Sequence, residues 1–261
     1  MFIRNLFIIS SFISILHAKH ATEKKAPDSY VLFRAPIESM TLAMRYLPED
    51  PIIVEAGAYN GRESCYLAKL WPKGHVHTFE PVEQLYNITA ARVQSIPNIT
   101  AYKLGLGDAC GLRTIYLSTE EGEQWVDRVS MSSSFYEPKE HLNYSATLFK
   151  GTEEVEMITL DQWAALQGIP KVDLLWLDMQ GYELPALKAG TNLLKTVSVI
   201  LTEVEFIEAY EGQPLYKEVK SWLESQGFVL IAGNFKFPRT DQFFGDALFV
   251  RQELLKEENR N

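Results

Sequence analysis

The sequence predicts an α/β protein whose central sheet is mostly parallel, and three observations carry that expectation. From Ile52 to Leu104, short apolar runs alternate with amphipathic stretches across connections of only a few residues, the pattern of right-handed βαβ crossovers. Two later runs, VDLLWLDM from Val172 to Met179 and VSVILTEV from Val197 to Val204, are apolar on both faces, as central parallel strands are. The first strand also runs into a glycine turn, IIVEAGAYNGRES from Ile52 to Ser64, and strand–glycine turn–helix is the opening of many nucleotide-like ligand sites.

Residues 1–21 stand apart from this pattern. Arg4 precedes an apolar run from Leu6 to Leu16, then His17-Ala18 and a polar stretch, the three parts of a secretory signal with cleavage after Ala18 or Ala21. The run is short for a membrane span; a weak interfacial anchor or a misplaced start site are the alternatives. Export or membrane association is therefore expected through residues 1–21 alone, and a cytoplasmic location if the segment does not act. Residues 22–51 form a lead-in, read as helical from Ala26 to Leu47 and ended by Pro48-Glu-Asp-Pro51.

The main domain is expected over 52–251. Ile52–Ala56 is the first strand, Arg62–Trp71 a helix, His75–Glu80 a strand, Val82–Ser95 a helix and Ile99–Leu104 a third strand. Short strands at Arg113–Leu117 and Val155–Leu160 bracket a long polar segment, GEQWVDRVSMSSSFYEPKEHLNYS, whose length suits a substrate-facing loop. Asp161 is placed to cap a helix reaching Gly168. After the strand from Val172 come a helix over Glu183–Lys195, the strand from Val197, and a helix over Leu215–Gln226 closed by Gly227. Phe228–Ala232 and Ala247–Arg251 are expected to pair antiparallel. The charged tail 252–261 is expected to fray.

Composition narrows the function. Of 261 residues 46% are hydrophobic and 23% charged, with a net charge of −9, which speaks against a nucleic-acid polymer as the main partner. Cys65 and Cys110 form no CxxC or Cys/His cluster, so no zinc or other metal site is expected; their spacing does not dictate a disulfide.

The carboxyl ends of the expected strands carry Glu55, Glu80, Asp108, Asp178 and Glu203. Taken alone, a strand-end carboxylate is more often a helix cap or a solvated loop charge. Together on one rim they suit a cationic or hydroxyl-rich ligand. In a dinucleotide turn, G-x-G-x-x-G, the second glycine admits a pyrophosphate; counted from Gly57, Tyr59 and Arg62 hold the second and third glycine positions. Glu55 sits where a cation would be received and a phosphate repelled. S-adenosylmethionine has no phosphate and carries an ammonium and a sulfonium, while a helix N-terminus can take its carboxylate. Glu80 lies 23 residues beyond Gly57, near the distance of an acid that binds ribose hydroxyls. Asp108 either faces the adenine amino group or forms a turn.

VEAGAYNG, HTFEP, LGLGD, VEMITLDQW, VDLLWLDMQGYELPALKAG, LTEVEF and GDALFVR occur in this order, and over Ile52 to Arg251 the chain resembles an FkbM-type S-adenosylmethionine-dependent methyltransferase. The resemblance implies a class I methyltransferase (Rossmann-like) fold, a sheet of about seven strands with an antiparallel last strand. It implies methyl transfer, commonly to a hydroxyl of a sugar or other secondary metabolite, and hence a small-molecule or glycan acceptor. By the same resemblance Glu55, Gly57, Ala58, Asn60 and Gly61 would line the methionine part of the cofactor, Glu80 the ribose, and Gly107-Asp108 the adenine. Gln180 departs from the glutamate common in the family, a change that bears on the substrate side.

A hydroxyl attacks a methyl group well only when a base takes its proton. Asp178, ending a central strand, is the candidate base or orienting group, with Glu183 as its partner; the alternative is that Asp178 caps the following helix. His141 is a second base candidate or plain surface, Glu203 would close the pocket floor, and Ser133 with Ser132 and Ser134 would bind acceptor hydroxyls or form a flexible loop. Two other functions compete, a nucleotide-dependent oxidoreductase of the NAD(P) type and a non-catalytic methyltransferase-like module.

Overall fold

A computed structural model describes residues 30–119, 129–236 and 242–258. The signal-like segment, part of the polar insertion and the last three residues lie outside them. The main sheet is built from β1 (Val31–Leu32), β2 (Ile52–Ala56), β3 (His75–Phe79), β4 (Ile99–Tyr102), β8 (Leu174–Leu177), β9 (Val199–Glu205), β10 (Phe228–Gly233) and β11 (Phe244–Arg251). A smaller sheet holds β5 (Gly105–Leu106), β6 (Gly111–Thr119) and β7 (Leu148–Ile158). The helices are α1 (Pro36–Ala43), α2 (Arg62–Leu70), α3 (Glu83–Val93), α4 (His141–Tyr144), α5 (Leu160–Gln167), α6 (Glu183–Lys188), α7 (Thr191–Leu194), α8 (Tyr216–Ser225) and α9 (Gln252–Glu258).

The order across the main sheet is β1-β10-β11-β9-β8-β2-β3-β4. Strands β4, β3, β2, β8 and β9 are parallel, and β11 runs antiparallel between β9 and β10. This is the expected seven-stranded class I arrangement with one strand more. Val31 and Leu32 pair parallel with Ala232 and Gly233, within the stretch Ala26 to Leu47 whose pattern is helical. The open edge of β10 supplies unpaired backbone groups, which bind an extended segment; Pro36, with its fixed φ, then starts α1.

Helices cover both faces. Trp163 of α5, 1% exposed, packs with Phe79, Leu175 and Leu223 on one side; Met40 of α1, Leu67 of α2 and Leu248 pack on the other. Leu254 and Leu255 of α9 join the second cluster, so the tail is helical through Glu258 where fraying was expected.

Two helix ends also correct the sequence reading. The stretch Glu183–Lys195 is two helices, broken near Gly190, whose absent side chain admits Leu160: a Cβ there would lie 2.7 Å from that of Leu160. Thr159 caps α5 by accepting from the Gln162 amide at 3.2 Å. Asp161 instead accepts from the amides of Asn192 and Leu193 at 3.1 and 2.8 Å, so it caps the start of α7, a helix terminus that only tertiary packing brings near.

The smaller sheet recruits the insertion. β6 and β7 pair antiparallel, and single bridges join Tyr116 to Ser134 and Thr119 to Val129. The described part of the segment is thereby laid along the sheet, beside the ends of the main strands.

The turn after β2 shows how the fold sets the site. Gly57 has φ +89°, and a Cβ on it would stand 1.8 Å from the main-chain oxygen of Asp178. Gly57→Ala is expected to cost about 2–4 kcal/mol, strain and steric clash together, measured as a lower denaturation midpoint in urea. An unchanged midpoint would mean the two turns are not in contact.

Candidate active site

The strand order reverses beside β2, which has β3 on one side and β8 on the other. Ligands in open α/β sheets lie outside the strand ends at such a point. A cavity of about 200 Å³ opens there, and Glu55, Gly57, Tyr59, Glu80, Asp178 and Gln180 share its wall with an apolar set that includes Leu106, Ile115 and Phe135.

The first turn is pinned by hydrogen bonds. The amides of Gly57 and Ala58 both donate to the Phe79 carbonyl, at 3.1 and 3.0 Å. Tyr59, at φ +50°, turns its amide to Glu80 Oε2 at 2.8 Å, and Val82 donates to Glu80 Oε1 at 3.0 Å. Glu80 thus ties the β2–α2 turn to the β3–α3 turn. Glu55 accepts from the hydroxyls of Ser64 and Thr78. Burial pushes Glu55 up to about 7 and Glu80 up to about 8, against the hydrogen bonds that favour their charged forms. A bound cation would restore those charges.

Other residues of the expected cofactor set are not at the wall. Ala58 is buried beneath the turn. The Asn60 side-chain oxygen accepts from the Arg62 amide at 3.3 Å and meets the Arg92 guanidinium. Gly61, φ +74°, starts α2 against Thr89. Gly107 packs on Met157, where a Cβ would lie 2.1 Å from the sulfur. Asp108 accepts from the Tyr182 hydroxyl at 3.0 Å and pairs with Arg113 at 3.5 Å. The wall on that side is Leu104, Gly105 and Leu106, faced by Phe135. Phe135 comes from the insertion, and its one signal in the sequence is an aromatic pair, Phe135-Tyr136, inside a polar run.

Beyond β8 a second group gathers. Asp178 does not cap α6; Tyr182 holds the N-cap position and makes no side-chain cap bond. Asp178 is accessible at the cavity wall while protein surrounds it, and burial is the main force raising its pKa, with Gln180 opposing. Gln180 Nε2 lies 3.0 Å from Asp178 Oδ1 and 2.8 Å from Glu203 Oε2. Glu203, on β9 opposite Asp246 of β11, is raised well above the usual carboxylate range by burial and by Asp178 beside it. Glu183 accepts from the amides of Met179 and Gly181 at 2.7 and 3.3 Å. It braces the loop that carries Asp178 and makes no hydrogen bond to Asp178; burial holds it at about 7.

The insertion residues divide. Ser133 is at the wall, its Oγ accepting from the Ser118 amide at 3.0 Å. Ser134 donates to the Gln180 carbonyl at 2.7 Å. His141 is neither surface nor wall: it is buried in α4 among Tyr144, Phe149 and Tyr210, and burial lowers its pKa. The sequence pointed to Gln180 as a departure and did not flag Tyr210, which reaches Gln180 from the far side at 2.8 Å. Cys65 and Cys110 are free thiols.

The model of the methyltransferase FkbM domain matches residues 55–230 of this chain. A protein of Sinorhizobium fredii named 2-O-methyltransferase NoeI is 29% identical over 208 residues, covering 78% of this chain and 81% of that protein. Methyltransferase sdnD of Sordaria araneosa is 25% identical over 203 residues, covering 70% and 75%. Among solved structures, an rRNA methylase from Streptococcus thermophilus gives a TM-score of 0.47 at 13% identity, over 85% of this chain and 99% of that one, a likeness too loose to argue from.

The buried acids make stability depend on pH. Glu55 and Glu183 at about 7 and Glu80 at about 8 hold their protons more tightly than at the unfolded value of 4.5. The folded state therefore binds more protons between those values, and stability falls as pH rises through them. The ligand-free melting temperature is expected to drop by several degrees, on the order of a few kcal/mol, between about pH 5.5 and pH 8.5. Thermal melts at constant ionic strength check this, and a rise over that range would contradict it.

Proposed function

The chain belongs to the FkbM methyltransferase family and is an S-adenosylmethionine-dependent methyltransferase; from that premise we propose that it methylates a hydroxyl oxygen on a glycan or small hydroxylated metabolite, with Asp178 as the base. A family of methyltransferases leaves the oxidoreductase and non-catalytic alternatives without support. The relative named as a 2-O-methyltransferase supports oxygen as the accepting atom. The observation that carries the reading is a carboxylate at the end of β8, Asp178, on the wall of the same cavity as Gly57 and Glu80.

The residues of the cavity suit the cofactor. Two buried carboxylates, Glu55 and Glu80, stand in a pocket whose opposite wall is apolar, which matches a cationic amino-acid end and a flat purine. Glu80, already fixed by two amides, has lone pairs left for the ribose hydroxyls. Glu55 would offer its charge to the ammonium, and Leu106 and Phe135 would flank the adenine. Bound S-adenosylmethionine would supply a methyl group on a sulfonium, whose bond to sulfur breaks as the bond to the acceptor oxygen forms, so that S-adenosylhomocysteine leaves as a neutral thioether. The protein's share is positioning and proton removal. Asp178 takes the hydroxyl proton on a carboxylate oxygen as the oxygen attacks, while Glu183 keeps the loop in place through Met179 and Gly181. Ser133, at the wall, would receive a further hydroxyl of a polar acceptor.

Two substitutions separate binding from chemistry. Glu80→Ala is expected to weaken S-adenosylhomocysteine binding about 100-fold, from the loss of charge-assisted hydrogen bonds, read by calorimetry; unchanged affinity would remove Glu80 from the site. Asp178→Asn is expected to keep that affinity within a few-fold while turnover falls about 10²–10⁴-fold. The acceptor comes from mass spectrometry of glycans and metabolites from cells with and without the protein, where a methyl group should disappear; Asp178→Asn with full turnover would end its role as base.

A further inference from the structure

Two carboxylates share one amide at the acceptor end. Gln180 donates one N–H of its amide to Asp178 and the other to Glu203, its Oε1 accepts from the Tyr210 hydroxyl, and its main-chain oxygen accepts from Ser134. The amide can stand only one way round. An ionised Asp178 accepts and cannot donate, so the NH₂ faces it and the oxygen faces the hydroxyl. Gln180 is held at φ +53°, a conformation uncommon outside glycine.

The charge setting explains what the amide does. Burial and Glu63 of α2 push the Asp178 pKa up, while the Gln180 amide and a hydrogen bond from Glu203 pull it down; Asp178 in turn raises Glu55 from β2, Glu183 from α6, Glu203 and Glu205 from β9 and Asp246 from β11. Like charges this close drive protons onto one another. Tyr210, the other titratable group in contact with Gln180, is raised far above its ordinary range by burial and stays a neutral hydroxyl. We infer that Gln180 is a positioning residue that keeps Asp178 charged within this acidic surround, by giving Asp178 and Glu203 one amide hydrogen each. The inference rests on the reading of Asp178 as base. A glutamate in its place would bring a third carboxyl group, a donor only while protonated, and Asp178 would then ionise only at higher pH.

The cofactor pair offers a readout that needs no acceptor. S-adenosylmethionine carries a positive sulfonium where S-adenosylhomocysteine has a neutral thioether. The ratio of their dissociation constants cancels their shared contacts and reports negative charge near the sulfur. Asp178, whose carbonyl abuts Gly57, lies at that end, so preference for the sulfonium should rise with pH as Asp178 ionises. The full chain, Gln180→Glu, Gln180→Ala and Asp178→Asn are compared by calorimetry from about pH 5.5 to pH 8.5. Glu55 and Glu80 ionise in the same window, so the expected result is a rise in the native protein that Asp178→Asn reduces. In Gln180→Glu the rise moves up by about one pH unit, and in Gln180→Ala it moves the same way by less. If both Gln180 variants weaken the two ligands equally and leave the midpoint where it was, Gln180 is structural only and the inference fails, with Asp178 as base still standing. If Asp178→Asn leaves the whole rise in place, the charge that gathers near the sulfur is that of Glu55 and Glu80 alone, and both readings fail.

Discussion

The turn that follows β2 lies so close to the end of β8 that a methyl group on Gly57 would sit 1.8 Å from the Asp178 carbonyl oxygen. The Asp178 amide in turn donates to the Ala56 carbonyl at 3.0 Å. The turn after β2 and the loop after β8 are therefore one packed unit, with no side chain between them. Neighbouring features follow from this contact. Tyr59 is thrown into a left-handed conformation that delivers its amide to Glu80, and the cavity opens at the place where the strand order reverses.

The second constraint is electrostatic. Glu55, Glu80, Glu183, Glu203 and Glu205 are buried within one end of the molecule. Burying carboxylates is costly unless protons, hydrogen-bond donors or cations compensate. The protein uses hydroxyls at Glu55, main-chain amides at Glu80 and Glu183, and a side-chain amide at Glu203. A cationic cofactor is the remaining partner, so affinity for it and the low tolerance of the empty site for charge have the same origin.

Much of the architecture was legible because it depends on local pattern. Alternating apolar runs located β2, β3 and β4, and the double-sided apolar runs located β8 and β9 at the centre. What misled was local logic applied where a distant element intervened. Asp161 looks like the cap of its own helix, yet it serves α7. Val31-Leu32 looks helical beside Met40 and Leu42, yet an open strand edge claims it. Leu254 and Leu255 look like part of a charged tail, yet they find an apolar face to cover.

The cofactor end followed the same division. Gly57 and Glu80 reach the cavity wall as their spacing suggests, since a βα unit of fixed length puts the second strand's terminal acid beside the first turn. Gly107-Asp108 do not line it: Asp108 is held by Tyr182 and Arg113, and Phe135 fills the side facing Gly105. The amino-acid order by itself determined the sheet, the phosphate-free character of the first turn and the excess of acids on one rim, all properties of residues near one another in the chain. The tertiary structure alone decided which of those acids face the cavity, and that one amide, Gln180, stands between Asp178 and Glu203. The reason is physical: a carboxylate's charge depends on burial and on partners tens of residues away, which no local stretch of sequence contains.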